Sequence, residues 1–341
     1  MTNAKKTVRG AVAALSIASL LALAACSSET DPATGADNNS PDAASTEEAS
    51  SESSAGEQAT SVTVNTNLGE VEIPLPIEQV VVLDNTAAQT LQAFGIEPIA
   101  VPKPLFPADV FGDWVNNDDI LDVGSHTEPN LEDLSALTPD LIIGGYRFAD
   151  YQDDLSKIGM TIDVAPNGAD SWLTGLRNQT TTLGEIFARQ DDAAALVSDL
   201  DAAIARAQAA TSGETVFYAI VSAGNVDNGF NRIGRLHEGL NLVNVLDAAD
   251  ATGAHGDAGI APETLAELNP DWVIVLDRDA AVEDDYSPAQ ELFAGQEAWA
   301  KTTFTTKDQL IYLPNNFYTT EGIQAYTAVF NQIADAFEAA N

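Results

Sequence analysis

Residues 132–143 read Glu-Asp-Leu-Ser-Ala-Leu-Thr-Pro-Asp-Leu-Ile-Ile, and residues 263–274 read Glu-Thr-Leu-Ala-Glu-Leu-Asn-Pro-Asp-Trp-Val-Ile. Both fit Glu-x-Leu-x-x-Leu-x-Pro-Asp followed by three apolar residues. Both then reach an arginine, Arg147 after Asp140 and Arg278 after Asp271, at the same spacing. A histidine stands upstream of each copy, His126 and His255. The pattern predicts a helix stopped by proline, a Pro-Asp turn, a buried strand, and an arginine just past the strand's carboxyl end. In open α/β sheets ligands sit outside the carboxyl ends of the strands. Two copies therefore predict two lobes, each presenting an arginine at its rim. Past residue 25 arginine occurs only at positions 147, 177, 189, 206, 232, 235 and 278, so the matched spacing of two of them carries weight.

Working outward, Val62-Thr63-Val64 and Glu70-Val71-Glu72-Ile73 alternate like a hairpin around Asn67-Leu68-Gly69. Val80 to Leu83 reads as a buried strand, and Thr86 to Phe94 as a helix ended by Gly95. Strand-like runs recur at Leu141 to Ile143, Val216 to Val221, Trp272 to Leu276 and Leu310 to Leu313, with helical patterns between them. Alternation of this kind predicts α/β units with mostly parallel sheets. Between the copies, Trp172, Leu176, Leu183, Ile186 and Phe187 mark a helix from about Asp170 to Ala188. Such a helix is about 28 Å long and can bridge two lobes stiffly. A second, Ala-rich amphipathic helix runs from Asp191 to Ala210.

At the other end, Lys5, Lys6 and Arg9 precede an apolar run from Ala11 to Ala25, which is the pattern of a secretory signal. The run closes on Leu23-Ala24-Ala25-Cys26, which resembles the lipobox of bacterial lipoproteins. That resemblance implies cleavage before Cys26 and a diacylglycerol on its sulfur. Residues 27–60 hold acids and small polar residues, no base, and no aliphatic larger than Ala, so they cannot bury enough surface to fold. As a flexible tether they span about 30 Å r.m.s.. The expected organisation is a signal peptide at 1–25, a lipidated cysteine and acidic tether at 26–60, an N-terminal α/β lobe at 61–169, a connecting helix at 170–190, and a C-terminal α/β lobe at 191–341.

Composition excludes several functions. The 341 residues carry 14 Lys+Arg against 52 Asp+Glu, a formal net charge of −38, which repels nucleic acid at long range. The single cysteine, once acylated, leaves no disulfide, no thiolate metal site and no cysteine nucleophile. No Gly-x-Ser-x-Gly, metalloprotease motif or phosphate loop appears, so no enzyme activity is expected. A site for free divalent metal wants several histidines and carboxylates converging, and three histidines in the whole chain make that reading weak.

The lipobox, the acidic tether, the two α/β lobes on one long helix and the Pro-Asp strands together resemble the helical-backbone class (class III) of ABC-transporter substrate-binding proteins. Within it, Val123-Gly124-Ser125-His126-Thr127-Glu128-Pro129-Asn130-Leu131-Glu132, Asn231-Arg232-Ile233-Gly234, His255-Gly256, Leu276-Asp277-Arg278 and Phe317-Tyr318 resemble the ferric-siderophore binders, especially those for catecholates. The resemblance implies two Rossmann-like lobes with a ligand cleft between them. It implies a ferric siderophore, catecholate or mixed, as transported ligand, with no intrinsic cofactor. The pocket arginines of the family match Arg147, Arg232 and Arg278. A histidine and a tyrosine that complete iron coordination in some members match His255 and Tyr318. One glutamate on each lobe, matched by Glu132 and Glu263, docks on the permease. The chain departs from the family at Asn231, where serine is usual, and at Phe317, where tryptophan is usual. The expected partners are the siderophore, the permease and, through Cys26, the membrane, with the protein expected as a monomer on the outer face of the cell membrane of a Gram-positive cell. A heme or cobalamin binder on the same scaffold is the alternative, followed by a surface lipoprotein with no transport role.

The chemistry of those residues stands without the resemblance. A tris-catecholate ferric complex is a trianion of oxygens and flat rings, and guanidinium groups neutralise it, donate in fork geometry and stack on the rings. Ferric iron is a hard ion suited to a tyrosinate, with imidazole as an acceptable second donor. Arg177, Arg189 and Arg206 read as solvated ion pairs, the four tryptophans as packing residues, and His237 as a helix-start histidine. Arg235, close to Arg232, reads equally well either way.

Overall fold

The computed structural model describes residues 59–246 and 259–341. Cys26, His255 and nearly all of the 27–60 segment lie outside the described residues. Strands β1 (Ser61–Thr66) and β2 (Gly69–Pro74) form the expected antiparallel hairpin, with Thr66 opposite Gly69. Gly69 takes φ +105, which a residue with a Cβ adopts only with strain. Asn67 at the turn donates from its backbone to the Asp163 carbonyl at 2.8 Å and from its side chain to the Asp163 carboxylate at 2.8 Å. These bonds fasten the hairpin to the first main sheet.

That sheet contains β3 (Val80–Val82), β4 (Ala100–Val101), β5 (Leu121–Asp122), β6 (Leu141–Gly144) and β7 (Thr161–Asp163). Its order is β5-β4-β3-β6-β7, all parallel. The second sheet contains β8 (Thr215–Ser222), β9 (Asn225–Asn228), β10 (Val243–Asn244), β11 (Trp272–Asp277) and β12 (Leu310–Tyr312). There β10-β8-β11-β12 run parallel, and β9 folds back antiparallel on β8. The direction of winding reverses between β3 and β6 in one sheet and between β8 and β11 in the other. Strand order reverses at such points, and a crevice opens at the carboxyl ends.

The sequence repeat has a matched structural role in the two sheets. Helices Leu131–Leu137 and Pro262–Leu268 end on Thr138 and Asn269, both left-handed at φ 49 and φ 43, immediately before the buried prolines. Leu134 and Leu265, the first leucine of each copy, are both 0% exposed. Asp140 accepts from the backbone N–H groups of Glu78 and Gln79 at 2.9 and 2.8 Å, just ahead of β3. Asp271 accepts from the backbone N–H and hydroxyl of Thr215 at 2.9 and 2.7 Å, at the start of β8. Each Pro-Asp carboxylate thus ties the strand it opens (β6 or β11) to that strand's neighbour across the switch point.

The helix between the sheets runs Trp172–Ile186, two residues shorter at each end than the sequence suggests. Ser171 caps its first turn by accepting from the Thr174 N–H at 3.2 Å, and Ala188 at φ 52 turns the chain after its end. Its fifteen residues span about 22 Å. Trp172, Leu173 and Leu176 pack in the core of the second sheet, whereas Leu183 and Ile186 pack in the core of the first. Helix Gln190–Ala210 follows and packs along the C-terminal helix Ile323–Ala340, whose Phe337 stacks on Trp272 at 4.0 Å between centroids.

Leu265 should therefore behave as a core residue and its neighbour Glu263, which is exposed, as a surface one. We expect Leu265→Ala to lower unfolding free energy in urea by about 2–5 kcal/mol. Glu263→Ala should stay within about 0.5 kcal/mol of the parent. Equal effects would mean that the repeat helix is not docked by its leucines.

Candidate functional site

The carboxyl end of β6 leads into Gly145 and Tyr146, at φ 91 and φ 47. A Cβ on Gly145 would sit 2.3 Å from the Asp163 carboxylate, so only glycine allows this tight exit. Tyr146 is a non-glycine residue in the left-handed region, a costly conformation immediately before Arg147. The Gly144-Gly145 pair, unremarkable in sequence, is thus what delivers Tyr146 and Arg147. From the second sheet, the short helix Phe230–Ile233 after β9 delivers Arg232, the 3-10 turn Gly234–Gly239 delivers Arg235, and the exit of β11 delivers Arg278. Helix Phe317–Thr320 brings Tyr318, and Glu321 caps it in a left-handed conformation at φ 48.

These residues come together. The guanidiniums of Arg147, Arg232 and Arg278 lie 5.1, 4.5 and 5.8 Å from the centre of the Tyr318 ring. Arg147 and Arg232 both donate to the Tyr318 carbonyl, at 3.0 and 3.3 Å. Arg232 Nη2 also lies 2.5 Å from Glu321 Oε2, while Arg147 approaches the same carboxylate at 3.6 Å. Arg235, whose sequence reading was open, belongs to the cluster. It reaches Glu321 Oε1 at 3.5 Å, and its guanidinium lies 3.5 Å from the centre of the Trp172 ring. The hydroxyl of Tyr146 donates to Glu321 at 2.9 Å and accepts from Arg232 at 3.0 Å. Arg278 pairs with Asp279 at 3.6 Å and Glu283 at 3.9 Å.

Burial shapes the electrostatics. The Glu321 side chain is 2% exposed, and those of Arg147, Arg232, Arg235 and Arg278 are 12, 17, 24 and 22% exposed. Burial works to discharge Arg232, but Glu321 with the surrounding tyrosines outweighs it and holds the guanidinium charged more firmly than usual. Burial and then Glu321 raise the Tyr146 phenol, which keeps its proton and so remains a donor. The Nε donors of Arg147, Arg232 and Arg278 are buried without a hydrogen-bond partner among the described residues. Buried donors of this kind call for an acceptor.

A second buried group lies beside the cluster. Asp84, at the end of β3, caps helix Asn85–Ala93 by accepting from Thr86 and also accepts from Gln179 of the connecting helix at 3.0 Å. The next residue, Asn85, donates to the carbonyls of Thr319 and Thr320 at 3.0 and 3.3 Å. The loop that carries Tyr318 and Glu321 is thereby held against the first sheet. Glu132 and Glu263 lie in the first turns of the two repeat helices, exposed and away from these contacts. His237 is not a helix-start residue as expected: it lies in the last turn of the 3-10 segment Gly234–Gly239, with Nδ1 3.1 Å from the Tyr218 hydroxyl. No group of three or more His, Cys, Asp or Glu side chains that could hold a metal ion occurs among the described residues.

Comparison with known proteins gives a consistent picture. Residues 80–317 match the family described as periplasmic binding protein. Petrobactin-binding protein YclQ of Bacillus subtilis is 24% identical over 276 residues, which cover 78% of this chain and 84% of that protein. Ferric-anguibactin-binding protein FatB of Vibrio anguillarum is 28% identical over 262 residues, covering 73% and 81%. The crystal structure of YclQ gives a TM-score of 0.72 at 21% identity, covering 82% of this chain and 99% of that one. The periplasmic catecholate-siderophore binding protein VctP of Vibrio cholerae gives 0.70 at 25% identity, with the same coverage.

Asp84 makes a pH prediction. Burial raises its carboxyl from an ordinary 3.8 to about 7 despite the bonds from Thr86 and Gln179. Between those values the native state holds a proton that the unfolded chain has lost, so this group makes stability fall as pH rises through that window. Asp84→Asn should therefore gain stability relative to the parent on going from pH 5 to pH 8, as read by urea unfolding at each pH. A difference that does not change with pH would show that Asp84 ionises normally in the folded protein.

Proposed function

Since the chain belongs to the periplasmic binding protein family, we propose that it captures a ferric siderophore of catecholate or mixed type outside the cytoplasm and hands it to an ABC-type iron importer. The observation that carries the reading is the gathering of Arg147, Arg232 and Arg278 around the Tyr318 ring from both sheets. Guanidiniums paired with an aromatic face suit an anion built of flat rings and oxygens, through charge, fork-shaped donation and stacking. Three buried Nε donors without an acceptor among the described residues point the same way. The names of the relatives, which refer to petrobactin and ferric anguibactin, support the substrate class.

In this reading the iron arrives as cargo within its chelator. Tyr318 is the side chain that could add an oxygen donor to it, and His255 is the proposed second donor. Cys26 is the proposed lipid anchor, with residues 27–60 as the tether that lets the body reach its permease. Glu132 and Glu263 are the proposed docking carboxylates, one from each repeat helix, and both are exposed. The short connecting helix, packed at both ends, favours modest relative movement of the two halves over wide opening.

Trp172 against Arg235 gives an internal reporter. Titrating tryptophan fluorescence with ferric catecholate, hydroxamate and citrate siderophores, heme and cobalamin should give submicromolar quenching with a ferric catecholate or mixed complex. Loss of a charge-assisted contact in Arg147→Ala or Arg278→Ala should weaken that binding about tenfold or more. Tight binding of heme or cobalamin, with no response to any ferric siderophore, would overturn the reading. In cells, Glu132→Ala with Glu263→Ala should abolish iron uptake while leaving ligand binding intact, and normal uptake would refute the docking role.

A further inference from the structure

Glu321 brings a negative charge into a site built to bind an anion. Its carboxylate lies within 3.6 Å of three guanidiniums and accepts from the Tyr146 hydroxyl. At 2% side-chain exposure, against 12–24% for Arg147, Arg232 and Arg235, it sits behind the cations, on the protein side. Its backbone is fixed. Glu321 is left-handed, and a Cβ on the following Gly322 would lie 2.5 Å from the Thr86 carbonyl. The two carbonyls before Glu321 accept from Asn85. A carboxylate held in this way stays in place when a ligand arrives, and cancels part of the positive charge that the ligand meets.

We propose that Glu321 is a specificity-determining residue, a resident carboxylate that tunes the arginine cluster to ferric catecholate complexes of reduced negative charge rather than to the trianionic complexes that an uncompensated cluster would favour. The inference rests on the siderophore reading and deepens it, because it assigns the charge class of the ligand. Asp279 acts in the same direction beside Arg278. Its side chain is 4% exposed, and its carboxylate accepts from the backbone N–H groups of Ala223 and Gly224 at 2.9 and 2.8 Å and pairs with the guanidinium.

The test separates charge from shape. One hexadentate tris-catechol ligand is loaded with iron(III), giving a trianion, or with titanium(IV), giving a dianion of the same form. Affinities are measured on the parent, Glu321→Gln and Glu321→Asp. The parent should bind the dianion at least as tightly as the trianion. Glu321→Gln should shift the ratio toward the trianion by about tenfold, the size expected when one unit charge changes a short distance from another in a partly screened site. Glu321→Asp, which keeps the charge, should restore the parent ratio. A purely structural role would weaken both complexes equally and leave the ratio unchanged, and that result overturns the proposal. If Glu321→Gln does not fold, the parent alone decides, since clear preference for the trianion overturns the proposal. Binding of both complexes without discrimination in any variant sinks only this inference, whereas failure of the parent to bind either sinks the siderophore reading with it.

Discussion

Like charges cannot be crowded without a counter-charge, and this site crowds four guanidiniums together, three of them facing the Tyr318 ring and the fourth, Arg235, lying over Trp172. Arg147, Arg232 and Arg235 are held by a single buried carboxylate, Glu321, and the first two also by the carbonyl and ring of Tyr318. Replacing one partner of such a group leaves the rest buried and uncompensated, which is why buried ion pairs resist single changes strongly. The cluster is therefore both a binding surface in waiting and a joint between the halves of the body, because Tyr146 and Arg147 come from the first sheet while Arg232, Arg235 and Glu321 come from the second half of the chain.

The fold supplies the joint by ordinary means. Each sheet reverses its winding once, and at each reversal the carboxyl end of a central strand (β6 or β11) turns sharply and releases an arginine. The Pro-Asp carboxylates hold those strands in register with β3 and β8. The connecting helix fixes the distance between the two sets of strand ends by burying one end in each core. The short helix Phe317–Thr320, pinned by Asn85, then inserts Tyr318 and Glu321 between the arginines.

Much of this was legible because it is local. Helix, proline stop, buried strand and rim arginine occupy one short stretch, and the stretch occurs twice, so the parallel sheets and the positions of Arg147 and Arg278 follow from pattern alone. Arg232 was found through resemblance to a family turn. Glu321, Tyr146 and Arg235 were not assigned, because their roles depend on pairings across the chain: the Tyr146–Glu321 bond joins residues 175 apart. A lone glutamate after Thr-Thr in an acid-rich chain carries no local mark of burial. Asp84 was missed for the same reason, since only the arrival of Gln179 and the closing of the core over β3 make it a buried carboxyl. Cys26 and His255 lie outside the described residues, and their roles remain those proposed.

The central claim is that one iron-bearing anion is held by cations from both halves of the body. Diffraction at the iron absorption edge from crystals grown with a ferric catecholate tests it most directly. The account predicts an anomalous peak bounded by the guanidiniums of Arg147, Arg232 and Arg278 and set against the Tyr318 ring. Iron bound elsewhere on the protein, with those arginines untouched by the chelator, would contradict it.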